Sequence, residues 1–381
     1  MIIKHYHFSL KHALLTLFLS VSYTQPSLIN EYHLMGADAY ELPNISPAND
    51  LFVILASKAN EGTFLLICDL DKPNKPPNRL FNANIQKKKS RRGKRSESVK
   101  EETLMGWLNF DGVQYLYTVT NDIKSEPIIS KIYSHAFDGS DLEVFEEFST
   151  SRPNTPNVSR VLKNNDGLLI SFLNGPYGYY HYVFDVEGAI IPAPSHFDLP
   201  GPIQSFSQWK NNSIIILEGQ ENIYHIWTSN KSENWAPTMI EIDLSEYTIL
   251  GEANCHPTNN DIFSFTASTD NRMKMNQADL CIYSLSKDKI IKKITVHVPS
   301  EPFRGTEYSQ WSKKHNRLYF LRQDDNEYIQ SFYYDMKTGR VAECGIPDNR
   351  IKSFTISEQG DRLAVIEYPD GGHVRVYKLD E

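Results

Sequence analysis

The sequence predicts an all-β chain: a seven-bladed β-propeller of four-stranded antiparallel blades, its ring closed by an N-terminal strand that completes the last blade. Three observations carry this expectation. Seven units of the same internal order recur along the 381 residues. Their second strands are near-continuous apolar runs, "SIIILEG" and "LLISFL" among them, as suits sheets covered on both faces. The final unit is one strand short, and a spare strand-like segment lies upstream of the first unit.

The closing stretch gives the template. It has a strand, a polar turn, an apolar strand "RLAVIEY", a Gly-rich turn and the strand "HVRVYKLD". The same order recurs from Ile45, Phe110, Leu162, Trp209, Cys255 and Trp311, a spacing of roughly 45 to 65 residues, close to that of propeller blades. We letter the strands of each unit a to d. Asn, Asp and Gly gather between a and b, as a tight antiparallel turn requires. Strand c is expected to end in an Asp pair such as "CDLD", "VFDV", "EIDL" or "YYDM". Aromatic residues make up 12 % of the chain, which favours strands, where rings pack on pleated faces. No amphipathic helix of usable length is expected between the units.

In the last unit, a is expected over Ile351–Ile356, b over Arg362–Tyr368 and c over His373–Leu379. A fourth strand is missing. The segment "EYHLMGADAYEL", Glu31 to Leu42, belongs to no other unit, and its part Tyr32–Ala37 is predicted to lie beside strand c of the last blade. That pairing would remove a bare sheet edge and hold the two ends of the chain together.

The turn motifs "ISPAND" (Ile45–Asp50) and "ISEQGD" (Ile356–Asp361) are followed by an apolar strand and then by "IYSL" or "VYKLD" elsewhere in the repeats. This resembles the WD40-like repeats of TolB-type β-propellers, whose pattern is Ser-Pro-Asp-Gly, an aliphatic strand and Ile-Tyr-x-x-Asp. The resemblance covers residues 31–381 in architecture and is specific at these two motifs. It implies a single propeller over 31–381.

Residues 1–24 have the order of an export signal: Lys4 and Lys11, then the apolar "ALLTLFLSV" (Ala13–Val21), then the small residues of "SVS". The mature chain is expected to be exported, periplasmic or extracellular, without a transmembrane segment and monomeric. A net charge of -8 argues against a nucleic-acid reader acting through its overall field. The four cysteines, Cys68, Cys255, Cys281 and Cys344, have no CxxC spacing and read as small buried hydrophobes.

Propeller turns alternate between two faces, and the long connections are expected on the face of the b–c and d–a turns. They are Gln86–Glu102, Asn174–Tyr180, Gln220–Pro237 and Ser268–Gln277. Long loops on a rigid scaffold are where binding usually resides. Candidate ligand-binding residues there are Tyr177, Tyr179, Tyr180, Tyr224, Trp227, Trp235 and Lys274, the rings for stacking on a sugar or peptide. Within the first of these connections Lys87, Lys88, Lys89, Arg91, Arg92, Lys94 and Arg95 form a basic run. It reads as a solvated loop, as a patch for phosphate-bearing polymers or lipid head groups, or, through "RGKRS", as a processing site.

G-x-S-x-G, H-E-x-x-H, P-loop and G-x-G-x-x-G signatures are all missing from the sequence. The leading expectation is an exported, non-enzymatic scaffold that binds a protein, peptide or glycan on the loop-rich face, with no catalytic residue, metal or cofactor. The alternative is a hydrolase of the seven-bladed lactonase-like kind with a polar or metal site in the central channel, for which position nominates Glu307, His256, Asn254 and Gln208.

Overall fold

A computed structural model of the chain describes residues between 26 and 379, leaving out 1–25, 81–99, 151–157, 185–202, 298–308 and several shorter connections; side-chain detail concentrates in 26–72 and 223–379. Strand β1 (Ser27–His33) comes first in the chain, and its partner comes last. The next strands, β2 (Asp38–Ala39), β3 (Asn44–Ile45), β4 (Leu51–Lys58), β5 (Gly62–Asp69) and β6 (Asn78–Leu80), make the first sheet. The second holds β7 (Lys100–Phe110), β8 (Val113–Asp122), β9 (Ile128–Ala136) and β10 (Glu143–Thr150). Among the described residues the third has three strands, β11 (Val158–Asn164), β12 (Gly167–Leu173) and β13 (Tyr179–Phe184). The fourth is β14 (Ile203–Trp209), β15 (Asn212–Leu217), β16 (Ile223–Asn230) and β17 (Thr238–Asp243).

The fifth sheet contains β18 (Ile249–Cys255), β19 (Ile262–Ser268), β20 (Gln277–Ser284) and β21 (Lys289–His297), with a single-turn helix α1 (Asp270–Met273) between β19 and β20. The sixth is β22 (Ser309–Ser312), β23 (Arg317–Gln323), β24 (Ile329–Asp335) and β25 (Arg340–Glu343). The seventh takes β26 (Ile351–Ile356), β27 (Arg362–Glu367) and β28 (His373–Lys378), and β1 completes it in the order β1-β28-β27-β26. Every described pairing is antiparallel. The chain is all-β as expected, and among the described residues no sheet closes on itself.

The sheets meet face to face. Ile226, Ala253, Phe263, Phe265 and Cys281 form one buried cluster that joins the fourth sheet to the fifth. Leu280, Leu318, Phe320, Phe354 and Val365 belong to a second that runs through the fifth, sixth and seventh. A third joins the first and last sheets: Phe52, Ile54 and Cys68 pack with Tyr32, Ala364, Val374 and Val376. Strand β19 is buried along its whole length, although "IFSFTAS" alternates apolar and polar side chains; Ser264, Thr266 and Ser268 lie inside together with Phe263, Phe265 and Ala267. The first strands of the sheets also touch in succession, β3 to β7, β7 to β11, β11 to β14, β14 to β18, β18 to β22, β22 to β26, and β26 back to β3.

Three expectations change at this level. The strand beside β28 is Ser27–His33, not Tyr32–Ala37; only Tyr32 and His33 are shared. Its burial alternates from Asn30 through Leu34, with Tyr32 and Leu34 inside, and Tyr32 stacks on Phe52 of the first sheet at 6.0 Å. The connection Gln220–Pro237 is not a loop throughout, since β16 runs through its middle and pairs with both β15 and β17. The segment "EIDL" therefore closes the fourth strand of its sheet rather than the third. Lys100–Glu102, read as part of a connection, already belong to β7.

The Asp that ends these strands has a local role. Asp69 Oδ1 accepts from the Asp71 amide at 3.2 Å, Asp243 Oδ1 from the Ser245 amide at 2.8 Å, and Asp335 Oδ1 from the Lys337 and Thr338 amides at 2.9 Å each. Each carboxylate caps the turn that follows, mimicking a backbone acceptor. The four cysteines are free thiols, and burial pushes the Cys68, Cys281 and Cys344 thiols up to about 12.

Candidate functional site

Five of the touching first strands share an irregularity that the sequence does not announce. Pairing with the second strand slips at Leu104/Gly106 in β7, Val158/Arg160 in β11, Ile203/Ser205 in β14, Leu250/Ala253 in β18 and Ile351/Ser353 in β26. The extra residues are Met105, Ser159, Gln204, Gly251 with Glu252, and Lys352. A bulge of this kind bends the strand and re-aims a side chain, and bulges concentrate at rims and beside binding sites. In β11, β14, β18 and β26 they lie in the first half of the strand. They therefore lie toward the d–a and b–c turns, the face where the sequence places its long connections.

That face is braced in the fifth sheet. The Asp270 amide of α1 donates to Thr248 Oγ1 at 2.9 Å, and the Thr248 hydroxyl donates back to Asp270 Oδ1 at 3.1 Å. Arg272 donates to both oxygens of Asp279, at 2.5 and 2.8 Å, and this bidentate carboxylate holds its guanidinium in the charged form. Beside them Lys293 donates to Glu246 at 3.0 Å and lies 5.0 Å from the Tyr247 ring centre. The described part of this connection, through Met273, thus carries a short helix tied by its side chains to Thr248 and Asp279.

The predicted ligand-binding residues separate here. Tyr224 is 1 % exposed. Its ring packs edge-on against Phe265 at 5.3 Å, and its hydroxyl donates to the Gly251 carbonyl. It lies under the face and pins the β18 bulge, so its ring is not available for stacking on a ligand. Trp227 lies in β16, opposite Ile215 and Met239. Tyr179 and Tyr180 lie in β13, opposite Leu173 and Phe172. Tyr177, Trp235 and Lys274 lie outside the described residues, as does the whole basic run Lys87–Arg95.

The channel candidates are occupied with neighbouring sheets. Asn254 Nδ2 donates to the Ser309 carbonyl and hydroxyl at 3.3 and 3.4 Å, while Trp311 Nε1 donates to the Asn254 carbonyl at 3.2 Å. Gln310 continues the chain of ties. Its Oε1 accepts from Thr355 Oγ1 at 3.2 Å and from the Ile356 amide at 3.0 Å. These bonds link β18 to β22 and β22 to β26, where no backbone ladder runs. His256 is 3 % exposed. Its Nε2 meets Asn316 Oδ1 at 2.5 Å, and its Nδ1 accepts from the Thr258 amide at 3.2 Å. Those partners select the neutral tautomer with the proton on Nε2, and burial lowers the pKa of the ring. Both nitrogens are engaged, so His256 serves packing rather than proton transfer or metal ligation. Gln208 lies in β14 opposite Ser213, and Glu307 lies outside the described residues. Among the described residues no group of three or more His, Cys, Asp or Glu is arranged to hold a metal ion, and no helix is long and apolar enough to cross a membrane.

Comparison with known proteins gives the fold. No protein-family model matches the chain, and no curated protein matches it. Solved structures do. A prolyl endopeptidase is similar at a TM-score of 0.54 and 14 % identity, over 87 % of this chain and 47 % of that one; the present chain thus spans about half of its length. The β-propeller domain of the Trilobed protease from Pyrococcus furiosus is similar at 0.53 and 13 % identity, over 90 % of this chain and 96 % of that domain. TolB from Acinetobacter baumannii aligns at 0.40 and 12 % identity, over 87 % of this chain and 77 % of that one, a score too low to carry further weight. The propeller fold that the turn motifs implied is therefore shown. The Pyrococcus furiosus domain is described as having an open velcro topology, whereas here β1 pairs with β28.

Proposed function

We propose that the seven sheets are the blades of one ring, closed by β1 on β28, and that this ring is an exported scaffold that binds a protein, peptide or glycan. Binding is placed at the mouth formed by the bulged first strands on the b–c/d–a face. The observation that carries this reading is the recurrence of the bulge in five first strands that touch one another in succession. Four of these bulges fall in the first half of their strand, on the same side of the sheets. The ring itself is supported by the return contact from β26 to β3 and by the shared cluster of Tyr32, Phe52 and Val374.

Of the channel candidates of the hydrolase reading, His256 engages Asn316 and the Thr258 amide and Asn254 engages Ser309, which favours binding over chemistry. Export rests on the order of residues 1–24, and the propeller is taken to occupy the rest of the chain. The basic run Lys87–Arg95 is taken as a solvated connection.

The test reverses charge at the mouth. Full-length protein with Glu252→Lys and Lys352→Glu is compared with the parent on peptide and glycan arrays and in capture of proteins from culture medium. The expected result is loss of at least tenfold in the strongest signal with an unchanged melting temperature. A strongest signal unmoved by either substitution would sink the placement of the site, and a signal that disappears when the basic run is neutralised would move it to Lys87–Arg95.

A further inference from the structure

At the outer edge of the last sheet, far along the sequence from one another, two histidines meet. His33 of β1 and His373 of β28 are register partners. His33 Nδ1 and His373 Nε2 are 3.2 Å apart, and the rings stand edge to face with centres 4.4 Å apart. Both face solvent in part, His33 with 57 % of its side chain exposed. We propose that this pair is a binding site for a divalent late transition-metal ion, Cu(II), Ni(II) or Zn(II), with water completing the coordination shell.

The geometry supports two simultaneous Metal–N bonds. At a metal–nitrogen distance of about 2.0–2.1 Å, two nitrogens 3.2 Å apart subtend about 100° at the ion. That angle lies between square-planar and tetrahedral values, so neither backbone nor rotamer has to move far. Imidazole nitrogens select the late first-row metals, in the order that ends at Cu(II), over Mg(II) and Ca(II), which prefer oxygen.

The surroundings fit a ligand pair. The far nitrogen of His33, Nε2, lies 3.9 Å from Glu31 Oε2. A histidine ligand usually turns its other ring nitrogen toward a carboxylate, which fixes the tautomer and strengthens the donor. Ligation through both facing nitrogens puts the proton of each neutral ring on its far nitrogen, which on His33 lies toward Glu31. Arg375, the nearest cation, is engaged by two carboxylates, Glu31 at 2.9 Å and Glu367 at 2.7 Å. Its charge beside the site is offset by those two carboxylates.

The two ligands come from strands whose paired residues are separated by 340 positions. The unfolded chain does not hold them together, so an ion that binds both stabilises only the folded state. Full-length protein is heated with increasing ZnCl2 or NiCl2, and MgCl2 is the control. The melting temperature is expected to rise by the same increment for each tenfold increase of free Zn(II) or Ni(II) above its dissociation constant, and Mg(II) is expected to do nothing. His33→Asn and His373→Asn should each remove that dependence while folding normally in chelator. The Cu(II) form gives a second readout, a spin-resonance spectrum with two coupled nitrogens in the parent and one in either variant. A metal-dependent shift of equal size in both variants, or a parent spectrum with a single nitrogen, would overturn the assignment.

Discussion

Two kinds of a–b turn occupy the same place in the repeat, and they hold the protein together differently. In the first and last sheets the turn closes on itself. Ser46 Oγ donates to Asp50 Oδ1 at 2.8 Å and accepts from the Leu51 amide at 3.0 Å. Ser357 Oγ donates to Asp361 Oδ1 at 2.9 Å and accepts from the Arg362 amide at 3.1 Å. In the fifth and sixth sheets the equivalent positions are His256 and Ser312, with Asn260 and Asn316 four residues on. There the bond leaves the unit, from His256 to Asn316 of the next turn. Asn316 accepts it from a left-handed conformation, φ 53°, that Asn tolerates better than most residues. The Ser hydroxyl thus closes its own turn, whereas in the fifth sheet, where His256 stands in its place, that position ties the turn to the next; Ser312 of the sixth accepts from the His315 amide within its own turn.

The comparison can be broken from its larger effects down. The sheets with self-contained turns are joined to each other by β1, which pairs with β28 and lays Tyr32 on Phe52. Deleting residues 26–34 should cost the most, leaving the edge of β28 and the Phe52 face without cover; thermal unfolding should lose cooperativity and drop by more than ten degrees, roughly the effect of several kcal/mol in a chain of this size. A deletion that melts like the parent would contradict the role given to β1.

His256→Ala comes next. It removes a buried ring packed against Trp311 at 4.6 Å and a bond between turns, and should cost about 3 kcal/mol in chemical denaturation. The same residue predicts a pH dependence. Burial lowers its folded pKa, so folding is favoured by the neutral ring. That stability is complete above the unfolded value of about 6.5 and is lost as pH falls below it, because the unfolded chain then takes up a proton that the folded ring resists. A His256→Asn variant should flatten this part of the stability profile.

Ser46→Ala and Ser357→Ala should have the smallest effects, about 1 kcal/mol each, from one buried hydroxyl and its two bonds. The double substitution should be additive, since each turn is closed within itself. Ser357→Ala with His256→Ala sharpens the contrast further. The turn of the last sheet also approaches its neighbour, through Gly360. A Cβ there would come within 2.2 Å of Ser312 Oγ, and the residue holds φ +76°, so the close approach depends on glycine. Coupling between the two substitutions would show that even the signature turn transmits load across that gap.

Much of the architecture was legible. The apolar second strands and the polar turns before them have periodic patterns, and β26, β27 and β28 begin where the repeat places them. Strand β16 was not legible because it ends in "TSN" and follows the polar "GQEN", both of which resemble turn material. Yet Tyr224 and Ile226 are buried and alternate with partly exposed neighbours, a period-two signal inside the supposed loop. The strand beside β28 was expected at Tyr32–Ala37 and lies at Ser27–His33 instead, because its outer residues Leu28 and Glu31 face solvent and dilute the hydrophobic pattern. The bulges left no trace in composition. They are differences of register between two strands, and register is decided by the pair rather than by either sequence alone. The ties through Asn254 and Gln310 escaped for the same reason: an amide on one strand says nothing about which carbonyl it will meet on another.

The pairing of β1 with β28 has a consequence for how the protein is made. During synthesis Ser27–His33 emerges first and has no partner until His373–Lys378 leaves the ribosome. A nascent chain interrupted anywhere before that point carries an unmatched strand at its front and an unfinished sheet at its back, the two features that invite aggregation or recognition by chaperones and proteases. Only a chain read through His373–Lys378 can satisfy both, in one step, by the joining of β1 to β28.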